Sequence, residues 1–223
     1  SATNQFLGNQ DIAQMTNLPK PTVARITSTL VSLGYLKQLP NTTKYLLDVG
    51  VLALGYSALS NISARTQAHP FMEEMSRYAQ APVAMATRDR LNMIYLEVVH
   101  TDTTLTMRRS VGSTLPIHSS AMGRACLAAM DVKEREYLFD AIKKRHEEQW
   151  TTIKRNLERA IRDYQDYGYC LSLGDWAKDV NSVAVPLIPP KHGILTFNCG
   201  APSYLLNQEK LENEIGPRLI HMV

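Results

Sequence analysis

The chain has 223 residues, 44% hydrophobic and 20% charged, which fits an ordinary globular protein with room for a small domain and a medium one. Its net charge of +3 is too small to name a partner, and no apolar run reaches the ~18 residues that a membrane span needs. "SATNQ" lacks a secretory pattern, three cysteines without CxxC spacing read as reduced cytoplasmic thiols, and scattered histidines predict no zinc or other metal site.

In chain order, Ile12, Ala13, Met15 and Leu18 predict a short amphipathic helix and its closing turn. Pro19 and Pro21 bracket Lys20, and Pro21 suits the first turn of a second helix, where its missing N–H costs nothing. Val23, Ile26, Thr27, Leu30, Val31 and Leu33 then recur at helical spacing, with Val23, Ile26 and Leu30 as expected core and Gly34 as the stop. Two short helices joined by a tight turn form a helix-turn-helix, whose second helix fits a DNA major groove. The apolar stretches at Tyr35–Leu39 and Lys44–Leu47, around a Pro/Asn/Thr turn, predict a hairpin placed as a wing. Residues 1–60 carry Lys20, Arg25, Lys37 and Lys44 against Asp11 and Asp48, a balance of +2 that agrees with phosphate contacts.

"DVGVLALGYSALSNI", residues 48–62, predicts a connecting helix whose stripe of Leu47, Val51, Leu54 and Ala58 is suited to packing or dimerisation. His69-Pro70 leads into a further helix, "FMEEMSRYAQ". The pattern then changes. "PVAMATRD", "NMIYLEVVH" and "TTLTMRRS" predict consecutive antiparallel strands. "SSAMGRACLAAM" predicts a small-residue helix capped by Ser119 or Ser120, followed by helices over "VKEREYLFDAIKKR" and "TIKRNLERAIRDYQDY", the last stopped by Gly168. "GYCLSL", "SVAVPLI" and "GILTFNCG" read as strands, and Asn207 caps a closing helix. Strands and helices in this order make an α+β domain of about 150 residues with one sheet carrying helices.

Four ordered motifs resemble the isocitrate-lyase-regulator (IclR) family of transcription regulators over nearly the whole chain. "LPKPTVARITSTLVSLGYL" is similar to that family's recognition helix, and "TKYLLDVGVLALG" to its wing and the start of its linker. "VGSTLPIHSSAMGRACLA" resembles its sensor signature, and "DYGYCLSLGDW", "SVAVPLI" and "FNCGAPS" complete the pattern. The resemblance implies a winged helix-turn-helix over residues 1–47, a linker or dimerisation helix over 48–66 and a GAF-like effector domain with an antiparallel sheet and flanking helices over 67–223. The family places another helix before the first one here, where this chain has only "SATNQFLGNQ", so the DNA-binding domain is expected to be incomplete at its N-terminus.

The expected partners are double-stranded operator DNA, a small-molecule effector and further copies of the chain in a dimer or tetramer, with no membrane, cofactor or catalytic residue. On the second helix Arg25 is placed for a bidentate guanine contact, Thr22 for a base or phosphate, Lys20 for phosphate and Ser28 on the same exposed face. In the wing Asn41, Thr42 and Lys44 are expected at the DNA backbone. In the second domain the free N–H groups of Ser120, Ala121 and Met122 at a helix N-terminus would cradle a carboxylate. The family's pocket, matched position by position, implies Ser120, Ala121, Ser172, Ser182 and Cys199, with Phe197 on the same side of its strand as Cys199. Family members with carboxylate effectors often carry a small hydroxyl residue where Phe197 falls. A Phe there would narrow the pocket or offer an aromatic wall, which counts against a glyoxylate-like ligand, and small or aromatic carboxylates of catabolism are what the family implies. Arg108 or Arg109 would meet an acidic ligand, and Trp176 is read as a loop anchor. His118 beside Ser119 and Ser120 does not make a triad, and no GxSxG elbow is present. Two rivals stand beside the regulator: an acid-binding sensor or enzyme that retained the fold, and a regulator that works through protein contacts.

Overall fold

A computed structural model describes residues 6–100, 109–190 and 193–223 of the chain. They fall into two compact units that divide between Ile62 and Ser63.

The first unit is a winged helix. Strand β1 (Leu7–Gly8) leads into α1 (Asn9–Thr16), where the Asp11 carboxylate accepts the Gly8 N–H at 2.9 Å and Asn17 ends the helix in the left-handed region at φ 55°. Helix α2 (Lys20–Ser32) follows, with Pro21 in its first turn as expected. Its core face is narrower than the periodicity predicts. Val23 and Thr27 are buried, whereas Ile26 is 46% exposed and Leu30 half-buried. A domain of this size has one shallow seam between its helices, and Thr27 fills that seam because its hydroxyl donates to Asn9 Oδ1 at 2.9 Å. Strands β2 (Leu36–Gln38) and β3 (Lys44–Leu47) form the wing, with β1 added in the order β1-β3-β2. Helix α3 (Gly50–Ser60) closes the unit; a Cβ on Gly50 would lie 2.5 Å from the Gly34 carbonyl oxygen, so glycine permits this close approach.

The second unit is a six-stranded antiparallel sheet in the order β6-β5-β4-β9-β8-β7, covered on both faces. Helix α4 (Ser63–Ala79) begins seven residues before Pro70 and runs through it, forfeiting one backbone hydrogen bond. Strands β4 (Val83–Asp89), β5 (Asn92–Val99) and β6 (Thr114–Pro116) follow. The strand expected over "TTLTMRRS" falls almost wholly outside the described residues. Helices α5 (Ala121–Ala128), α6 (Val132–Arg145) and α7 (Trp150–Tyr167) precede β7 (Cys170–Leu173), β8 (Val180–Leu187) and β9 (Leu195–Pro202). The closing helix starts as α8 (Gln208–Lys210), widens into a π-turn over Leu211–Ile215 and ends as α9 (Gly216–Met222). The wider turn precedes Pro217, whose ring cannot follow an unbroken α-helical ladder.

Two cores flank the sheet. Helix α5 is buried at every position and packs on β8, β9 and β7, with Ala84, Ala86, Tyr95 and Leu115 in the same cluster. Met72, Met75, Leu211, Ile215 and Leu219 of α4 and the closing helix are buried on the opposite side, where Arg218 lies 3.7 Å above the Tyr78 ring. The cysteines Cys126, Cys170 and Cys199 are free and buried; burial raises the thiols of Cys126 and Cys199 to about 12 and that of Cys170 further.

Candidate functional site

Each unit carries one candidate site. On α2, Lys20, Thr22, Arg25 and Ser28 are all exposed, in a helix whose buried side is set by Val23 and Thr27. Lys20 Nζ lies 3.4 Å from Gln10 Oε1 of α1, and the exposed Arg25 side chain has no hydrogen-bond or ion-pair partner among the described residues. Ile26 joins Thr22, Arg25 and Thr29 on this surface, giving it an apolar spot suited to a thymine methyl group. In the wing, Asn41 adopts φ 58°, a conformation that Asn tolerates better than most residues, and Thr42 donates to the Leu39 carbonyl at 3.1 Å. Asn41 and Thr42 therefore shape the turn, while the exposed Lys44 side chain is the cation beside it. This is the geometry of a helix offered to the major groove with a hairpin beside it.

The second site is a pocket between the α5 N-terminus and the sheet, with a cavity volume of about 70 Å³. Its walls are mainly apolar, with Tyr95, Val98, Leu115, Trp176 and Val180 among them. Ser120 is the N-cap of α5: its hydroxyl donates to the Pro116 carbonyl at 2.7 Å and accepts the Gly123 N–H at 3.2 Å. The Ala121 and Met122 N–H groups in the first turn have no partner among the described residues, so the helix presents donors and a partial positive charge at its start. A Cβ at Gly123 would meet the Ile117 carbonyl at 2.0 Å, which explains why this glycine sits one turn into the helix.

Of the residues expected around an effector, Ser120, Ala121 and Ser182 line the pocket. Met122 is fully buried in the core cluster, and the Ser172 hydroxyl donates to the Ser119 carbonyl at 2.8 Å, bracing the loop before α5 from behind. Phe197 and Cys199 share one face of β9, as expected, but it is the face away from the pocket. They pair with Met85 and Val83 of β4, while Asn198, opposite Ala84, and Gly200, opposite Ser182, face the cavity. Phe197 therefore neither narrows the pocket nor forms its aromatic wall. That wall is Trp176, which lines the cavity instead of serving only as a loop anchor. The Arg109 guanidinium stacks 4.8 Å from the Trp176 ring centre, and His100 Nε2 donates to the Arg109 carbonyl at 3.0 Å. Arg108 lies outside the described residues. Burial in this wall raises the Tyr95 hydroxyl to about 12 against the opposing effect of Arg109, so Tyr95 is a neutral phenol at any physiological pH.

Sequence reading missed Asn198, Gly200 and Tyr95. The signal was present at one of them: Asn198 is the polar residue in the apolar run "ILTFNCG", and a side-chain amide there needs a reason. A conserved-looking motif cannot report which of two alternating sets faces the cavity when both faces are covered.

A winged helix-turn-helix followed by a sheet-backed α+β unit is an architecture of DNA-binding transcription regulators. Comparisons make the class specific. The chain matches the IclR helix-turn-helix domain over residues 1–40 and the bacterial transcriptional regulator IclR C-terminal domain over residues 56–220. It is 35% identical to the HTH-type transcriptional regulator TsaQ1/TsaQ2 of Comamonas testosteroni, covering 98% of this chain and 80% of that one. It is 28% identical to the Pca regulon regulatory protein of Pseudomonas putida over 94% of this chain and 72% of that one. An IclR family transcriptional regulator from Brucella abortus superposes with a TM-score of 0.96 at 56% identity, covering 100% of this chain and 84% of that structure. An IclR homologue from Microbacterium hydrocarbonoxydans, complexed with 4-hydroxybenzoate, shares the fold at a TM-score of 0.67 and 21% identity, over 100% of this chain and 92% of that one. The chain belongs to the IclR family of DNA-binding transcriptional regulators.

Proposed function

We propose that this protein is a sequence-specific, operator-binding regulator whose DNA affinity is set by a small or aromatic organic acid held in the α5 pocket, and that it carries out no reaction. The observation that carries the reading is the pocket itself: among the described residues it has apolar walls, two unpartnered N–H groups at a helix N-terminus and no Asp or Glu. An acid fits such a cavity and a cation does not. Lys20, Thr22, Arg25 and Ser28 read the operator, with Lys44 and the Asn41–Thr42 turn along its backbone. Helix α3 contains no charged residue and buries none of its eleven residues in the single chain, which supports self-association through it. A two-fold dimer or tetramer would then bind a pseudo-palindromic site in the cytoplasm. The acid acts by binding one arrangement of the protein better than another, so its differential affinity sets the population competent for DNA.

The test is Arg25→Ala against a panel of operator variants. Loss of preference at one guanine position, at about 1–3 kcal/mol, is expected. Unchanged affinity and preference would remove Arg25 from the contact. A second reading, that the unit senses an acid without specific DNA binding, predicts acid binding with sequence-blind DNA affinity.

A further inference from the structure

The α5 N-terminus supplies one place for a negative group, and the same pocket holds a second that it does not explain. Among the described residues Arg109 is the one Lys or Arg that lines the cavity, and no described acidic side chain lines it. Its guanidinium is spread over the Trp176 ring and makes no hydrogen bond or ion pair among the described residues, and a stacked guanidinium can still offer its edge N–H groups as a fork to a carboxylate. His100, exposed at the pocket rim, holds the Arg109 backbone through the carbonyl. Arg109 is half-buried, so this cation belongs to the mouth. The floor is different. Asn198 is 9% exposed on the sheet, opposite Ala84, and its side-chain amide makes no hydrogen bond among the described residues. Asn198 lines the cavity, so an occupant can supply the hydrogen-bond partners that the described residues do not. Gly200 keeps the space beside it open, since a Cβ there would come within 2.9 Å of Ser182 Cβ.

We infer that the ligand is an elongated diacid with an apolar middle: one carboxylate on the Ala121 and Met122 N–H groups with Asn198, the other on Arg109 at the mouth. This rests on the reading of the pocket as an organic-acid site. Tyr95, Leu115, Val98 and Val180 surround the middle of the molecule, and none of them offers a charge to a polar chain. A monoacid of the same length, seated on the helix N-terminus, leaves Arg109 with water only. A diacid satisfies both, and the two charges on the ligand keep apart across the length of the pocket.

Calorimetric titration of the full chain with matched pairs, benzoate against terephthalate and hexanoate against adipate, tests this. In at least one pair the diacid is expected to bind on the order of tenfold more tightly than its monoacid, and Arg109→Gln is expected to erase that ratio while leaving monoacid affinity within about twofold. The unchanged monoacid affinity also shows that the variant is folded. Equal affinity within both pairs, or an Arg109→Gln variant that keeps the diacid preference, overturns the diacid inference and leaves the acid-binding reading standing. No binding by any of the four acids overturns both.

Discussion

Arg124 carries a full charge at 2% exposure, and the groups around it show how one residue ties the pocket to its frame. Its Nη1 donates to the Leu171 carbonyl at 2.7 Å and to Asp175 Oδ2 at 2.8 Å, and Asp175 also accepts the Leu173 N–H at 3.3 Å. Asp175 precedes Trp176, so the pair fixes the base of the loop that carries the pocket wall. Asp175→Ala removes the only carboxylate paired with Arg124 among the described residues and is expected to cost about 2–3 kcal/mol in denaturant unfolding, with weakened acid binding. A change below about 0.5 kcal/mol would show that the charge is solvated in some other way. His118 gives a pH dependence. Burial, then the neighbouring His146 ring at 4.6 Å, then Arg124, lower it to about 4 from an ordinary 6.5. The unfolded chain therefore holds the extra proton between those values, and stability contributed by neutral His118 is full above about pH 6.5 and lost as pH falls toward 4. His118→Asn is expected to flatten unfolding free energy against pH in that window; an unchanged slope would assign the dependence elsewhere.

At the scale of elements, α5 and β9 decide the site. The α5 N-terminus reaches the sheet because Gly123 lies against the Ile117 carbonyl, and Gly123→Ala is expected to destabilise the second unit by at least about 2 kcal/mol in thermal unfolding. Full stability in that variant would show that the loop before α5 yields easily. Much of this was legible in the sequence: Pro21 and Gly34 bound α2, Asn41 marks the wing turn, and Ser120 caps α5. What escaped has physical reasons. Strand β9 alternates, with Leu195, Phe197, Cys199 and Ala201 on one face and Thr196, Asn198 and Gly200 on the other. Matching a motif position by position chose the apolar set, whereas the face under α5 that carries the polar set is the one open to the cavity. Ile26 keeps helical phase with Val23 and Leu30, yet it is exposed because α1 covers only one side of α2. Trp176 and Arg109 meet across 67 positions of sequence, a pairing that only the folded sheet creates.

At the scale of the whole molecule, the proposed regulator joins a groove-reading helix to an acid-binding pocket in one chain and works as a symmetric oligomer. Leu52, Leu54 and Tyr56 of α3 are 74%, 54% and 68% exposed in the single chain, an apolar surface that a partner copy would cover. Replacing Leu52 and Tyr56 with Glu is expected to shift the sedimenting species to a smaller assembly and to weaken operator binding with it; an unchanged assembly would place the contact away from α3. The most direct measurement is fluorescence anisotropy of the full chain on duplex DNA from upstream of its own gene, across a salt series, with competitor DNA and with and without the diacids. Saturable binding that survives competitor, on two half-sites about one helical turn or a multiple apart, and that changes when an acid is added is the predicted result. Binding that is sequence-blind, disappears with salt and ignores every acid would contradict it.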